Sequence, residues 1–137
     1  MSTAIRKQTS RYLAGLLTAL MLVSPAAFAE TINGKINGLQ CAISGFVCPV
    51  DQVDAMVTLE RDFVLQQADG VYYTLTNVDR GVKARYALQE ATVTGKVNKF
   101  YKAVDVDTLQ VGGKTVWSKK MQQELADELY KSLYATP

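Results

Sequence analysis

The chain contains no histidine, and only two cysteines and three prolines, among its 137 residues. Without imidazole there is no Ser-His-Asp or Cys-His nucleophile, no His-ligated metal and no haem attachment through C-x-x-C-H. Two sulfur ligands with no histidine or second cysteine pair leave a zinc tetrahedron incomplete. P-loop, dinucleotide and G-x-S-x-G signatures are absent as well. No nucleophile–base pair can therefore be named, and the reading is a non-enzyme with no cofactor and no metal. Long hydrophobic runs are missing too. The longest is Tyr12–Val23, 12 residues, against the roughly 20 that a bilayer core of about 30 Å requires.

That short run belongs to a pattern of its own. Arg6, Lys7 and Arg11 precede it with no acidic residue among them, Ser24 and Pro25 break it, and Ala27-Phe28-Ala29 follows. A positive start, an apolar middle and a small-x-small end make a secretory signal peptide over residues 1–29. The alternative, an uncleaved membrane anchor, is opposed by the length of the run. No cysteine follows it directly, which argues against a lipoprotein. The expected product is soluble, exported and free of a membrane anchor, with the Gram-negative periplasm as its compartment. Cleavage after Ala29 leaves 108 residues, 30–137, suited to a single domain. Three of the 15 cations leave with the signal, so 12 basic residues face 13 acidic ones at net −1. A nucleic-acid binder carries a basic excess, so nucleic acid is not an expected partner.

What remains alternates. Ile32, Gly34 and Ile36 interleave with Thr31, Asn33 and Lys35; a second strand is expected over Met56–Gln67, with Phe63 and Leu65 on one face. Ala68-Asp69-Gly70 offers a hairpin turn, from which Val71–Val78 returns antiparallel. One or two helical turns are expected over Val82–Leu88. Strands Ala91–Asn98 and Ala103–Val111 follow, joined by Lys99-Phe100-Tyr101-Lys102. Near the end the period changes. Ser118 is a candidate N-cap, and Met121, Leu125, Leu129 and Leu133 recur every four residues, with Tyr130 and Tyr134 beside them. The expected element is a helix over about 118–134 that covers part of the sheet or one barrel end, since strand edges need cover.

Five strands with a short helix between the third and fourth make a mainly β, five-stranded Greek-key barrel of the OB-fold type, with a C-terminal helix added. Gly34 and Gly95 inside strand patterns suit the bends of a small barrel. The segment Val93-Thr94-Gly95-Lys96-Val97-Asn98-Lys99, followed by Val104-Asp105-Val106-Asp107, resembles the last two strands of the bacterial periplasmic OB-fold (BOF-like) protein family. There a V-x-G-x-V-D-K-like strand precedes an I-x-V/I-D-like one. Ile32-Asn33-Gly34-Lys35-Ile36 and the turn at Asp69-Gly70 also fit, so the resemblance spans residues 31 to 111. It implies a periplasmic OB-fold with a role tied to envelope stress.

Two features remain to be assigned a purpose. The only cysteines lie in QCAISGFVCPVD, Gln40 to Asp51. Their C-x₆-C spacing is not the C-x-x-C of thioredoxin-like motifs. Copper(I) held by two thiolates and Met56 is an alternative. In an oxidising compartment a disulfide is the ordinary outcome. A turn centred on Ser44-Gly45 sets Cys41 opposite Cys48 in a hairpin, within reach of a Cys41–Cys48 bond.

The second feature is uneven charge. Residues 50–70 hold five acids against Arg61, whereas residues 79–102 hold six bases against Asp79 and Glu90. Tyrosines interleave with the bases, and OB-folds often bind on strands two and three. The candidate ligand-binding residues are Tyr72, Thr74, Arg80, Lys83, Arg85, Lys96, Lys99 and Tyr101. Tyr73 is expected to point inward and Tyr72 outward. The competing reading is that tyrosines fill the barrel and lysines keep it soluble. Asp105 and Asp107 share a strand face that a cation or sugar would bridge, or that water simply solvates. Two functions from different classes result. One is a binding module for a small ligand, glycan or protein partner. The other is an assembly subunit that docks through its C-terminal helix or a strand edge.

Overall fold

The computed structural model describes residues 29–48, 57 and 59–134. Residues 1–28 of the expected signal peptide, residues 49–56 and 58, and the last three residues lie outside that range. The elements are β1 (Glu30–Gly38), α1 (Leu39–Ile43), β2 (Phe63–Gln66), β3 (Tyr72–Leu75), α2 (Arg80–Arg85), β4 (Glu90–Asn98), β5 (Ala103–Val111), β6 (Lys114–Ser118) and α3 (Lys119–Tyr134).

Five strands close into a barrel. β1 pairs antiparallel with both β2 and β4, β2 with β3, and β4 with β5, while β3 meets β5 in parallel and shuts the ring. The circular order β1-β2-β3-β5-β4, with α2 between the third and fourth strands, is that of an OB-fold barrel. β1 serves two neighbours by bending. Residues Glu30–Lys35 face β4 and Lys35–Gly38 face β2. Gly34 sits at the change-over, where a Cβ would come within 2.5 Å of the Gln66 carbonyl oxygen. The closure at β5 is extended by a side chain. Asn77 Oδ1 accepts from Val106 N–H and its Nδ2 donates to Val106 O, both at 2.8 Å, continuing the ladder past the end of β3.

The alternation read from the sequence fills the interior. Ile32, Ile36, Phe63, Leu65, Tyr73, Leu75, Val93, Val104, Val106, Leu109 and Trp117 form one buried cluster. Tyr73 faces in and Tyr72 is half-buried on the other side. The turn after β2 forms as expected. Gly70 has φ +85°, and Asp69 Oδ1 accepts from Val71 N–H at 3.0 Å.

Four expectations are corrected. The second strand begins at Phe63 rather than Met56, because Val57 and Leu59 take helical backbone before it. An unexpected β6 pairs with β5 through a Gly112-Gly113 turn, with φ of 57° and 75°. It carries Trp117 into the core. The cysteine segment is not a hairpin. Gln40 O accepts from Ser44 N–H and Cys41 O from Phe46 N–H, so the chain leaves β1 as a helical turn and reverses at Gly45. The helix α3 does start at its Ser118 cap, whose Oγ accepts from Met121 N–H at 3.2 Å, but it covers no part of the sheet. None of its side chains is buried. Only its first turn is fastened, where Lys119 Nζ bridges Asp105 (2.8 Å) and Asp107 (3.0 Å). The cation suggested by that pair of carboxylates is thus a lysine of the same chain. Hydrogen bonds to Asp105 and then Asp107 raise the Lys119 pKa above its ordinary value of 10.5. The folded pKa exceeds the unfolded one, so this contribution is complete below pH 10.5 and is lost only as the pH climbs above it.

Candidate functional site

The disulfide is present. Cys41 and Cys48 are bonded with Cα atoms 5.5 Å apart. Residues Leu39–Cys48 fold back over the outer face of β1 and β2, where Asn37, Val64, Gln66, Ala42 and Cys48 are buried. Asn37 holds this cover down. Its Nδ2 donates to Phe46 O (2.9 Å) and to Gln66 Oε1 (2.6 Å), and its Oδ1 accepts from Cys48 N–H at 3.0 Å. In a hairpin turning at Ser44-Gly45 these backbone groups would instead have paired with Ile43 N–H and Cys41 O on the opposite arm. Bonded to one another, the sulfurs are not thiolate donors, although Glu60 completes a group of three potential ligands whose atoms lie within 4.8 Å. A cleft of about 600 Å³ lined by Leu39, Gln40, Ile43, Leu59, Glu60 and Arg61 opens beside it. Replacing both cysteines by serine is expected to cost about 2.5 kcal/mol, the chain-entropy value for so short a loop. Urea unfolding of the variant and of the oxidised parent measures it.

This cover has a functional consequence. The outer face of β2, half of the surface on which OB-folds commonly bind, is occupied by the chain's own residues. What stays open is β3 and the turn from β4 to β5.

The eight candidate residues divide between two places. Tyr72 and Thr74 stand half-exposed on β3. The parallel register Thr74–Ala103 sets them at the level of the turn 99–102, and Thr74 N–H donates to Lys102 O at 2.8 Å. In that turn Tyr101 is 73% exposed and Phe100, which the sequence reading passed over, is 85% exposed. Their rings meet edge to face at 4.9 Å. The Lys102 ammonium, also missed, lies 4.8 Å from the centre of the Tyr72 ring. Lys102 takes a φ of 48°, unusual for a residue with a Cβ, and Asn98 Oδ1 accepts from Tyr101 N–H at 3.1 Å. Lys99 reaches Glu30 at 3.6 Å, and Lys96 is exposed on β4. The signal for the missed pair was the K-F-Y-K order itself. Two aromatics between lysines in a tight turn have no core to fill.

The other candidates serve α2. Asp79 caps that helix, its Oδ1 accepting from Gly81 N–H at 2.6 Å. Arg80 donates from Nε (3.1 Å) and Nη2 (2.7 Å) to Glu60 O and lies 5.5 Å from the Phe63 ring centre. Arg85 is exposed on the same helix. Lys83 is withdrawn from any ligand: its side chain is 3% exposed and its Nζ sits 2.6 Å from Asp62 Oδ1. That buried oxygen takes no hydrogen bond of regular geometry, and the ammonium is its partner. Basic spacing alone does not distinguish a solvated lysine from one turned under its own helix.

The site is therefore a compact aromatic and basic surface: Tyr72, Thr74, Lys99, Phe100, Tyr101 and Lys102. Rings and cations there suit stacking and charge pairing. Among the described residues no helix is long and apolar enough to cross a membrane. No family model, no curated protein and no solved structure matches this chain.

Proposed function

We propose that this chain is a non-enzymatic, exported binding module of OB-fold type that holds a glycan on the surface formed by β3 and the 99–102 turn. The observation that carries this reading is the exposure of Phe100 and Tyr101 beside Tyr72 and Lys102. Flat rings stack on sugar faces as they do on bases, and neighbouring ammonium groups pair with acidic substituents. The signal-like first 29 residues and the disulfide support export, with the periplasm as the compartment. The resemblance of strands β4 and β5 to periplasmic OB-fold proteins supports a role in the envelope and its stress response.

The test is an amide-shift titration with a neutral and a uronic-acid-containing hexasaccharide. Shifts should concentrate at Tyr72, Thr74 and residues 99–102, and Phe100→Ala with Tyr101→Ala should weaken binding by about tenfold or more. Shifts gathered around the Leu39–Leu59 cleft, or none with either sugar, would overturn the assignment. A second reading, an assembly subunit docking through α3, is favoured by one separate observation: the apolar stripe of that helix is wholly exposed.

A further inference from the structure

The hairpin tip between β4 and β5 carries more than a bound sugar alone would use. Phe100 is the most exposed ring among the described residues, Tyr101 is next to it, and the two ring planes stand at 88°. A flat sugar face can stack on one of two perpendicular rings, not on both. Tyr101 and Tyr72 each bring a hydroxyl that can hydrogen-bond a sugar, whereas Phe100 brings no polar atom. The ring at the apex is thus left for an apolar partner. We infer that the glycan is the head group of a membrane lipid, held while Phe100 dips into the bilayer beneath it. The inference rests on the glycan reading above and specifies what carries the sugar.

Rigidity and charge select a lipid surface. The turn is pinned by two hydrogen bonds: Asn98 Oδ1 accepts from Tyr101 N–H at 3.1 Å, and Thr74 N–H donates to Lys102 O at 2.8 Å. Phe100 therefore stands on a fixed stem, and burying it orders little new backbone. Side chains at a membrane interface are layered in the same way. Apolar rings sit at the acyl boundary, tyrosines at head-group level, and lysines reach the phosphates. Here Lys99 and Lys102 flank the rings, and no acid lies between Glu90 and Asp105 in the chain. Two acids approach through space. Glu30 lies 3.6 Å from Lys99, and Asp105, opposite Lys96, is already bound by Lys119 at 2.8 Å. A chain whose residues 30–137 sum to net −1 thus gathers its cations at the end that meets an anionic head group.

The contact is shallow and reversible. An inserted ring and a pair of flanking lysines are weak signals that hold a protein on a membrane only in combination. The sugar against Tyr72 and Tyr101 supplies the specificity, and the bilayer under Phe100 supplies the added affinity.

The test presents one sugar in two ways. The uronic-acid-containing hexasaccharide is used free in solution and coupled to a diacyl lipid in zwitterionic vesicles. Vesicles of the zwitterionic lipid alone and of phosphatidylglycerol are run beside them. The expected result is binding to the lipid-borne sugar at least about tenfold tighter than to the free one, the gain from burying one phenyl ring. Phe100→Ser should remove that gain. Its side chain is exposed, so the variant retains the barrel, which near-ultraviolet circular dichroism verifies. Leu125→Asp/Leu129→Asp, on the exposed stripe of α3, should keep the gain. Equal affinity for the two forms of the sugar overturns the inference and leaves the glycan reading standing. A gain that survives Phe100→Ser, or that disappears with the α3 aspartates, overturns it as well, because the lipid is then touched elsewhere. Binding to phosphatidylglycerol vesicles with none to either form of the sugar, or no binding at all, overturns both.

Discussion

Gly95→Val is expected to lower the stability of the barrel by at least about 3 kcal/mol, the upper part of the range for overpacking. Local propensity argues the other way. A β-branched residue gains roughly 1 kcal/mol over glycine in a strand. Space decides the sign. A Cβ at Gly95 would overlap the Asp105 carbonyl oxygen and lie 2.9 Å from Val106 Cα. Both atoms belong to the backbone of the paired strand and cannot rotate away. The crowding arises because the register between β4 and β5 shifts at Thr94/Gly95, leaving Asp107 of β5 without an opposite residue. At this bulge the strand bends to close the barrel. Gly95 does not have a positive φ, so the requirement is room and not backbone conformation. Urea unfolding of Gly95→Val beside Lys96→Thr checks the effect. The exposed neighbour should stay within about 0.5 kcal/mol of the parent.

Asp62→Ala should cost about 3 kcal/mol, because it strands the ammonium of Lys83, whose side chain is only 3% exposed. The reciprocal change is milder. Asp62 keeps 31% of its side chain in solvent, so water can replace part of what Lys83→Met removes. The combination Asp62→Leu/Lys83→Met removes both charges together and should recover most of the loss, since a buried pair against an apolar replacement is close to break-even. A double-mutant cycle from urea midpoints measures the coupling. A double variant as unstable as Asp62→Ala alone would show that packing, and not the stranded charge, carries the effect.

These two positions also separate what was legible in the chain from what was not. Gly95 stood out because glycine interrupts an apolar alternation, and the bend it signalled exists. Lys83 was read as part of a basic surface. Only the return of β2 beneath α2 brings Asp62, 21 positions earlier in the chain, to within 2.6 Å of it. The cysteines divide the same way. That they bond follows from their number and spacing in an oxidising setting, whereas the shape of their loop depends on Asn37. Its side chain intercepts Phe46 O and Cys48 N–H, and no local rule reports which backbone groups a distant amide will take. Gly112-Gly113 was legible as a hairpin turn and was passed over, because the apolar stretch behind it is short.

By itself the sequence determined the period of the five barrel strands, which tyrosine faces inward, the turn at Asp69-Gly70 and the cap at Ser118. These depend on neighbours a few residues apart, where backbone geometry leaves few choices. The tertiary structure alone decided which face stays open. Leu39–Cys48 covers β2, α2 turns Lys83 inward, the 99–102 turn holds Phe100 and Tyr101 out beside Tyr72, and α3 leaves the barrel after its first turn. Each of these outcomes is a competition between surfaces far apart in the chain. Burial goes to whichever pair the closed barrel brings together, and that is not written in the spacing of either one.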